Sequence, residues 1–422
     1  MQRWRFPRFV SPIAALMLLL ALVACMRGPM VAAPAGPPQP PVTGPGGPPP
    51  GPPPPGAGGP VKVAVLLPLS GANAELGKAM LEAAQMALFT TGNDRLTLVP
   101  RDTSGTPDGA VGAARTALAD GAQLILGPLL AAEVDAVKPV AGEAKINVIA
   151  FSTATQLAGD NVFLMGFLPR QEIVREAVFA RESGLSRFAV LAPNSEYGRL
   201  MTDALRETAG QAGATVVKAE TFDARSGDVG PAIQRLSGNA ASPAPGTSPE
   251  PDAAPAPGPT PRAGFDALLL PEGGDQLKQI ARRLKTAGIG SPQVRLLGSG
   301  LWDDTSISSE PALVGGWFAA SPPDARREFQ SRFQSTYGHA PPRLASLAFD
   351  AAALAAALAK AGGPAPFSHD AILNPSGFTG VDGLFRFTPQ GLVQRGLAVL
   401  EVQPQGPVVV SPAPRDFRDF VY

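Results

Sequence analysis

Residues 67–78, Leu-Pro-Leu-Ser-Gly-Ala-Asn-Ala-Glu-Leu-Gly-Lys, bring an apolar run, two glycines and a lysine to a strand-to-helix corner. Corners of this kind cradle phosphate on backbone amides. A phosphate loop has four residues between its first glycine and the Gly-Lys pair, then Ser or Thr to hold magnesium. Here five residues separate Gly71 from Gly77, and Ala79 follows Lys78. The lysine is carried off the phosphates and alanine ligates no metal, so nucleotide chemistry is not expected.

Other reactive groups are sparse. The two histidines, His339 and His369, lack a partner at His-Glu-x-x-His spacing, and Gly298-Ser299-Gly300 lacks the intervening residues of a Gly-x-Ser-x-Gly nucleophile turn. Cys25 is the only cysteine, which excludes an intramolecular disulfide and a cysteine metal cluster. The chain reads as a non-enzyme that needs no cofactor and no metal. Its 35 basic and 35 acidic residues balance, and no segment carries a basic stripe, so nucleic acid is not an expected partner.

The elements that position these residues alternate between strand and helix. Residues 61–67 form an apolar run broken only by Lys62, the mark of a strand buried on both faces. Helices are predicted over 75–88, 108–118 and 132–144, with strands at 96–99, 124–126 and 148–150. Thr106-Pro107-Asp108 opens the second helix with a hydroxyl cap, a proline in the first turn and an acid at the positive end. The pattern restarts after Leu168-Pro169: helices over 172–182, 198–212 and 275–287, strands over 188–191, 215–219, 267–270 and 294–297. This predicts an α/β protein of two doubly wound, Rossmann-like lobes joined by a hinge, with a cleft between them. The expected division is 61–168 for the first lobe with 316–394 returning to it, and 169–315 for the second with 395–411 returning to it. Residues 412–422 form a tail, and the Pro/Ala/Gly-rich insertion 239–263 should be disordered.

Before the lobes lie two other segments. Arg3, Arg5 and Arg8 precede an apolar run at 13–24 that is too short to span a bilayer, as in a signal peptide. The run ends in Leu-Val-Ala-Cys, which resembles the lipobox of bacterial lipoproteins and implies lipidation of Cys25. Met26 is not the aspartate of inner-membrane retention, so attachment to the periplasmic face of the outer membrane is expected. Residues 26–60, mostly proline and glycine, cannot bury a core and read as an extended tether.

The stretches VKVAVLLPLSGANAELGKAMLEAAQMAL, LILGPLLAAEV, VIAFSTAT, FLMGFLP, LAPNSEYGR and GLFRFTPQGLVQRGLAVLEV together resemble the type I periplasmic binding proteins, the fold of the leucine/isoleucine/valine receptors. The resemblance implies two lobes, three crossover segments and hinge closure on a ligand. Within that fold the chain is most similar to the penicillin-binding protein activator lipoproteins, which implies contact with a peptidoglycan synthase. The alternative is the receptor of an ABC importer for amino acids or another small solute.

In the amino-acid receptors, hydroxyls and amides of the first lobe hold the ligand carboxylate and an acid of the second lobe holds its ammonium. The residues that the resemblance places at the cleft are Ser70, Leu76, Leu129, Ala131, Ser152, Thr153, Thr155, Tyr197, Glu272 and Trp302. Leu129, Leu130, Ala131 and Ala132 stand where receptors place serines, and Leu76 where an aromatic wall is common. Gly298-Ser299-Gly300-Leu301-Trp302 offers no acid at the expected place. Ser152 and Thr155 suit turn caps equally well, Tyr197 the packing of its helix start and Trp302 burial between the lobes, while Glu272 suits a solvated helix start better than the cleft. Ordinary binding of a free amino acid is therefore not expected.

Overall fold

The computed structural model describes residues 60–238 and 264–419. The expected signal peptide, Cys25, nearly all of the tether and the 239–263 insertion lie outside the described residues. The described residues belong to one compact unit, Pro55–Tyr422.

The first lobe is built on five parallel strands: β1 (Val61–Leu67), β2 (Leu96–Asp102), β3 (Ala122–Leu126), β4 (Val148–Ala150) and β5 (Val162–Leu164), in the order β2-β1-β3-β4-β5. Helices α1 (Ala74–Thr91), α2 (Pro107–Ala119) and α3 (Ala131–Glu143) connect them. Each crossover helix returns the chain to the same end of the sheet, so the loops after β1 to β4 gather along one edge. Thr106 caps α2 by accepting from the Gly109 amide at 3.1 Å, with Pro107 in the first turn, as its sequence predicts.

The second lobe runs α4 (Pro169–Glu182), β6 (Arg187–Pro193), α5 (Glu196–Gln211), β7 (Thr215–Phe222), α6 (Gly230–Ser237), β8 (Ala267–Leu270), α7 (Gly274–Thr286), β9 (Arg295–Gly298) and β10 (Trp317–Ala320). The chain continues through α8 (Pro323–Tyr337), α9 (Ala345–Ala361), α10 (His369–Ile372), β11 (Phe378–Gly380), β12 (Gly383–Phe387), β13 (Val393–Arg395), β14 (Ala398–Glu401) and β15 (Val408–Ser411). The second sheet is ordered β15-β14-β10-β9-β8-β6-β7, parallel from β10 to β7 and antiparallel through β14 and β15. β11, β12 and β13 form a small antiparallel sheet whose Phe385, Phe387 and Val393 join the first lobe's core.

Two expected boundaries need correction. The return to the first lobe does not begin at 316: Trp317–Ala320 is a fully buried strand of the second sheet, with Trp317 opposite Glu401, so the crossing follows Ala320. Residues 412–419, the described part of the expected tail, are packed against the fold. Phe417 is 9% exposed and its ring lies 4.3 Å from the Arg386 guanidinium of β12.

Packing follows composition. α9 is mostly alanine and leucine and is buried almost all round, as an apolar helix inside a large domain must be. Its alanines meet Ala79, Ala83, Ala84 and Ala87 of α1, and these small side chains allow close approach of the two helices. α5 starts at Ser195, whose Oγ accepts from the Gly198 amide at 3.1 Å. Ser195→Ala is expected to cost about 1 kcal/mol, read as a lower urea midpoint, and an unchanged midpoint would refute the cap's contribution.

Candidate functional site

Three segments cross between the lobes: 165–168, 321–322 and 396–397. Where they converge, a cavity of about 210 Å³ opens, lined by Phe167, Pro169, Glu172, Tyr197, Gly300, Leu301, Asp303, Ala320, Ser321, Arg343 and Leu397. Its walls come from both lobes and all three crossings. This is the base of the cleft that the wound sheets predict.

The second lobe supplies the acid. Glu172 sits in the first turn of α4, which Pro169 opens, and its Oε2 accepts from the Gly300 amide at 2.7 Å. A Cβ on Gly300 would stand 2.4 Å from Glu172 Oε1, so a side chain there would displace the carboxyl from this position. Burial pushes the carboxyl up to about 7, with nearby Asp303 adding to the rise, against the Gly300 amide and Arg343. One turn later Glu176 accepts from the Gly298 amide at 3.1 Å, and burial raises it well above the usual range, with the Glu172 charge adding to the effect. Tyr197, held by the capped start of α5, shares a side-chain hydrogen bond with Ser299. Burial first, then the charges of Glu172 and Glu272, pushes its hydroxyl to about 12.

Arg343 supplies the cation, already heavily engaged. Its Nη1 lies 2.9 Å from Asp382 Oδ1 and donates to Ser346 at 2.9 Å, its Nε is 3.5 Å from Asp303, and its guanidinium stacks 3.9 Å over the Phe167 ring. Asp303, from the second lobe, is also gripped by both terminal nitrogens of Arg326 on α8, one of them at 2.6 Å. Deeper, buried Arg395 donates to Met165 O at 2.8 Å and lies 3.9 Å from Asp350. A chain of alternating charges thus ties the second lobe to α8, α9 and the crossings.

The first lobe's wall differs from an anion site. Asp102 accepts from the amides of Leu69 (2.8 Å), Ser70 (3.2 Å) and Ser104 (2.7 Å) and from the Ser70 hydroxyl at 2.6 Å. Burial acts to raise Asp102, but the Ser70 hydroxyl and those amides prevail and hold it below the usual carboxylate range. At the start of α3, Glu133 turns back so that the Leu130 amide donates to its Oε2 at 3.1 Å. The amides a ligand carboxylate would seek at this helix end face an internal carboxylate. Burial raises Glu133, opposed first by the Thr103 hydroxyl.

Of the ten residues expected at the cleft, Tyr197 lines the cavity. Ser70 and Thr153 lie exposed at the first lobe's edge, as does Ala131 in the first turn of α3. Ser152 is buried and accepts from the Ala154 amide at 3.1 Å, a turn-forming bond. Leu129 is buried in the first core. Leu76 faces a different hollow beside His339, Pro341 and Pro342, and Thr155 lines a larger one of about 460 Å³ against α4 and the end of α5. Glu272 is half-buried and accepts from the Gly273 amide at 3.1 Å.

Trp302 stacks on no cleft: it is fully buried in the second core, donating to Leu270 O at 3.2 Å. It is buried within one lobe rather than between the two, because a buried indole needs one acceptor and finds it at a strand end of the second sheet. Glu172, Asp303, Ser321 and Arg343 were not expected at the site. Only Glu172 carried a signal, being an acid three residues after the crossover proline; the others depend on how the segments meet.

The raised carboxyls fix the sign of the pH dependence. Glu172 rises from an ordinary 4.5 to about 7 and Asp350 from 3.8 to about 7, so both favour the folded state when protonated. That contribution is complete below the unfolded values and is lost as pH rises toward 7. Stability is expected to fall between pH 5 and pH 7.5. Glu172→Gln keeps the acceptor for Gly300 and removes the charge, so it should raise stability at pH 8 by about 2 kcal/mol, discounted for solvent in the cavity. Urea titrations at pH 5 and 8 test this; an identical pH dependence in wild type and variant would refute it.

The sequence profile of the periplasmic binding protein family matches residues 60–407. Among solved structures, the chain is similar to an ABC transporter substrate-binding protein from Sphaerobacter thermophilus (22% identity, 84% of this chain and 98% of the other, TM-score 0.65). It is also similar to a branched-chain amino acid ABC transporter periplasmic ligand-binding protein from Burkholderia xenovorans (19% identity, 84% and 96%, TM-score 0.65). A third is LivJ from Streptococcus pneumoniae, solved with isoleucine (18% identity, 84% and 100%, TM-score 0.55). At these identities the likeness shows the fold. A search among curated proteins finds no match. With two wound lobes, a hinge cavity between them and a family profile spanning nearly all of the described chain, this protein belongs to the periplasmic binding protein family.

Proposed function

We propose that this protein is an exported solute receptor that closes its two lobes on a small molecule at the hinge cavity and serves an ABC importer. The observation that carries this reading is the cavity itself, with Glu172 and Tyr197 from one lobe and Arg343 and Phe167 from the other lobe and the crossings. Groups from both sides of a hinge give a ligand differential affinity for the closed state, which is what drives closure. The substrate-binding proteins among the solved structures support the importer partner. Export and lipid attachment at Cys25 belong to the same proposal.

The test is a solute screen by thermal shift with small-angle scattering of the hits. A ligand that raises the unfolding temperature and contracts the protein supports the receptor. The reading fails if no small solute does either and membrane pull-downs recover no permease.

A second reading, activation of a peptidoglycan synthase by a tethered lipoprotein, is favoured by one feature. Glu133 occupies the helix end where amino-acid receptors hold the ligand carboxylate. Recovery of a synthase without permease subunits in the same pull-down would select it.

A further inference from the structure

We infer that the hinge cavity selects a small organic cation, an amine with a short apolar body and no carboxylate. The inference rests on the receptor reading and concerns the same site. Its starting point is the charge within the cavity. Glu172, which lines the cavity, receives only the Gly300 amide among the described residues, at 2.7 Å, which leaves its other oxygen without a hydrogen bond from them. Arg343 is the one cation among the lining residues, and it is spent on Asp382 at 2.9 Å and Asp303 at 3.5 Å while its face covers Phe167. Asp303 in turn holds Arg326. In the charge chain around the cavity, then, four carboxylates (Glu172, Asp303, Asp350, Asp382) face three guanidiniums (Arg343, Arg326, Arg395), and Glu172 is the one without an ion pair among the described residues.

The groups packed against Glu172 add no cation beyond these. They are Glu176 on its own helix, Tyr197 from α5, Asp303 and the Gly300 amide after β9, and Arg343 before α9. Glu272 adds further negative potential at Tyr197. A buried carboxylate without a partner is costly, and a ligand ammonium supplies the missing charge together with a charge-assisted hydrogen bond.

The first lobe points the same way independently. An anion at its edge would approach Asp102, which already holds three amides and two hydroxyls, and Glu133, which caps α3. Both are carboxylates that already occupy the backbone amides of these two turns, so the first lobe's edge offers a ligand carboxylate no free amide there. The apolar remainder of the lining, Pro169, Leu301, Ala320 and Leu397, suits a short hydrocarbon body.

The experiment compares probes of one shape and different charge by isothermal calorimetry on the purified protein at pH 8 and low salt. Isobutylamine is the cation, isovalerate the anion and leucine the zwitterion, with putrescine and choline as further cations. At least one cation is expected to bind at least about tenfold more tightly than isovalerate and leucine, the effect of one hydrogen bond to a charged group. Glu172→Gln should lower cation affinity by about tenfold or more while scattering and unfolding show an intact fold. Binding should also weaken from pH 8 to pH 6 as Glu172 takes a proton.

The inference is overturned if isovalerate or leucine binds as well as every cation, if no cation binds, or if Glu172→Gln leaves cation affinity unchanged. An anion, zwitterion or neutral solute that closes the lobes removes the charge selectivity and leaves the receptor standing. Absence of closure with any solute in the broader screen removes the receptor itself.

Discussion

Replacing Arg395 by methionine is expected to cost about 3–5 kcal/mol of folding stability at pH 8, the loss typical of stripping one partner from a buried charge pair. Arg395 is 2% exposed, and its guanidinium faces Asp350, the Met165 carbonyl and the rings of Phe167 and Phe385. Asp350 accepts from the amides of Val381 at 2.7 Å and Asp382 at 3.3 Å, yet its carboxyl is pushed to about 7 by burial and by the Asp382 charge. Arg395 opposes that rise. Without it the two carboxylates repel each other and one takes a proton.

The loss should therefore be smaller at pH 5 than at pH 8, because the proton is then readily available. Asp350→Asn placed on top of the methionine variant should recover part of the deficit by removing one of the repelling charges. Urea titrations of the single and double variants at the two pH values measure this. A loss below 1 kcal/mol, or one of equal size at both pH values, would show that the pairing is not what stabilises the hinge.

The second large effect is expected at Trp302. Its indole is fully buried among the residues of the second core, and Trp302→Ala should cost about 3–5 kcal/mol through lost burial and the cavity left behind. Two glycines make room for the ring. A Cβ on Gly298 would stand 2.1 Å from Trp302 Cδ2, and one on Gly316 2.7 Å from Cζ3. Gly298→Ala should accordingly be damaging too, since a ring packed on all sides cannot move aside. Hydrogen exchange locates the effect. In the tryptophan variant, amides of β8 and β9 should exchange faster while those of β1 and β3 keep their protection. Equal loosening of both lobes, or a cost below 1 kcal/mol, would contradict the assignment of Trp302 to the second core.

The sequence by itself determined the parts that rest on neighbours a few residues apart. The valine-rich run at 61–67 reads as a buried strand and Thr106-Pro107-Asp108 as a helix start, and both form as read because apolar patterning and capping are local. Strands and helices in alternation then required wound sheets. The failure of Gly71 to Lys78 as a phosphate loop was equally local, a matter of one extra residue and one alanine. Tertiary structure decided the rest. Trp317–Ala320 is four apolar residues that fit either sheet, and its pairing with β14 places it in the second. At the start of α3 residue 130 is leucine, which offers no capping oxygen, so the returning carboxylate of Glu133 takes that place, a contact set by the folded turn. Glu172, Asp303, Ser321 and Arg343 share a cavity although they are spread over more than a hundred residues. What brings them together is the convergence of three crossings, and what sets their charge states is the burial and pairing that follow. Neither exists until the lobes have folded.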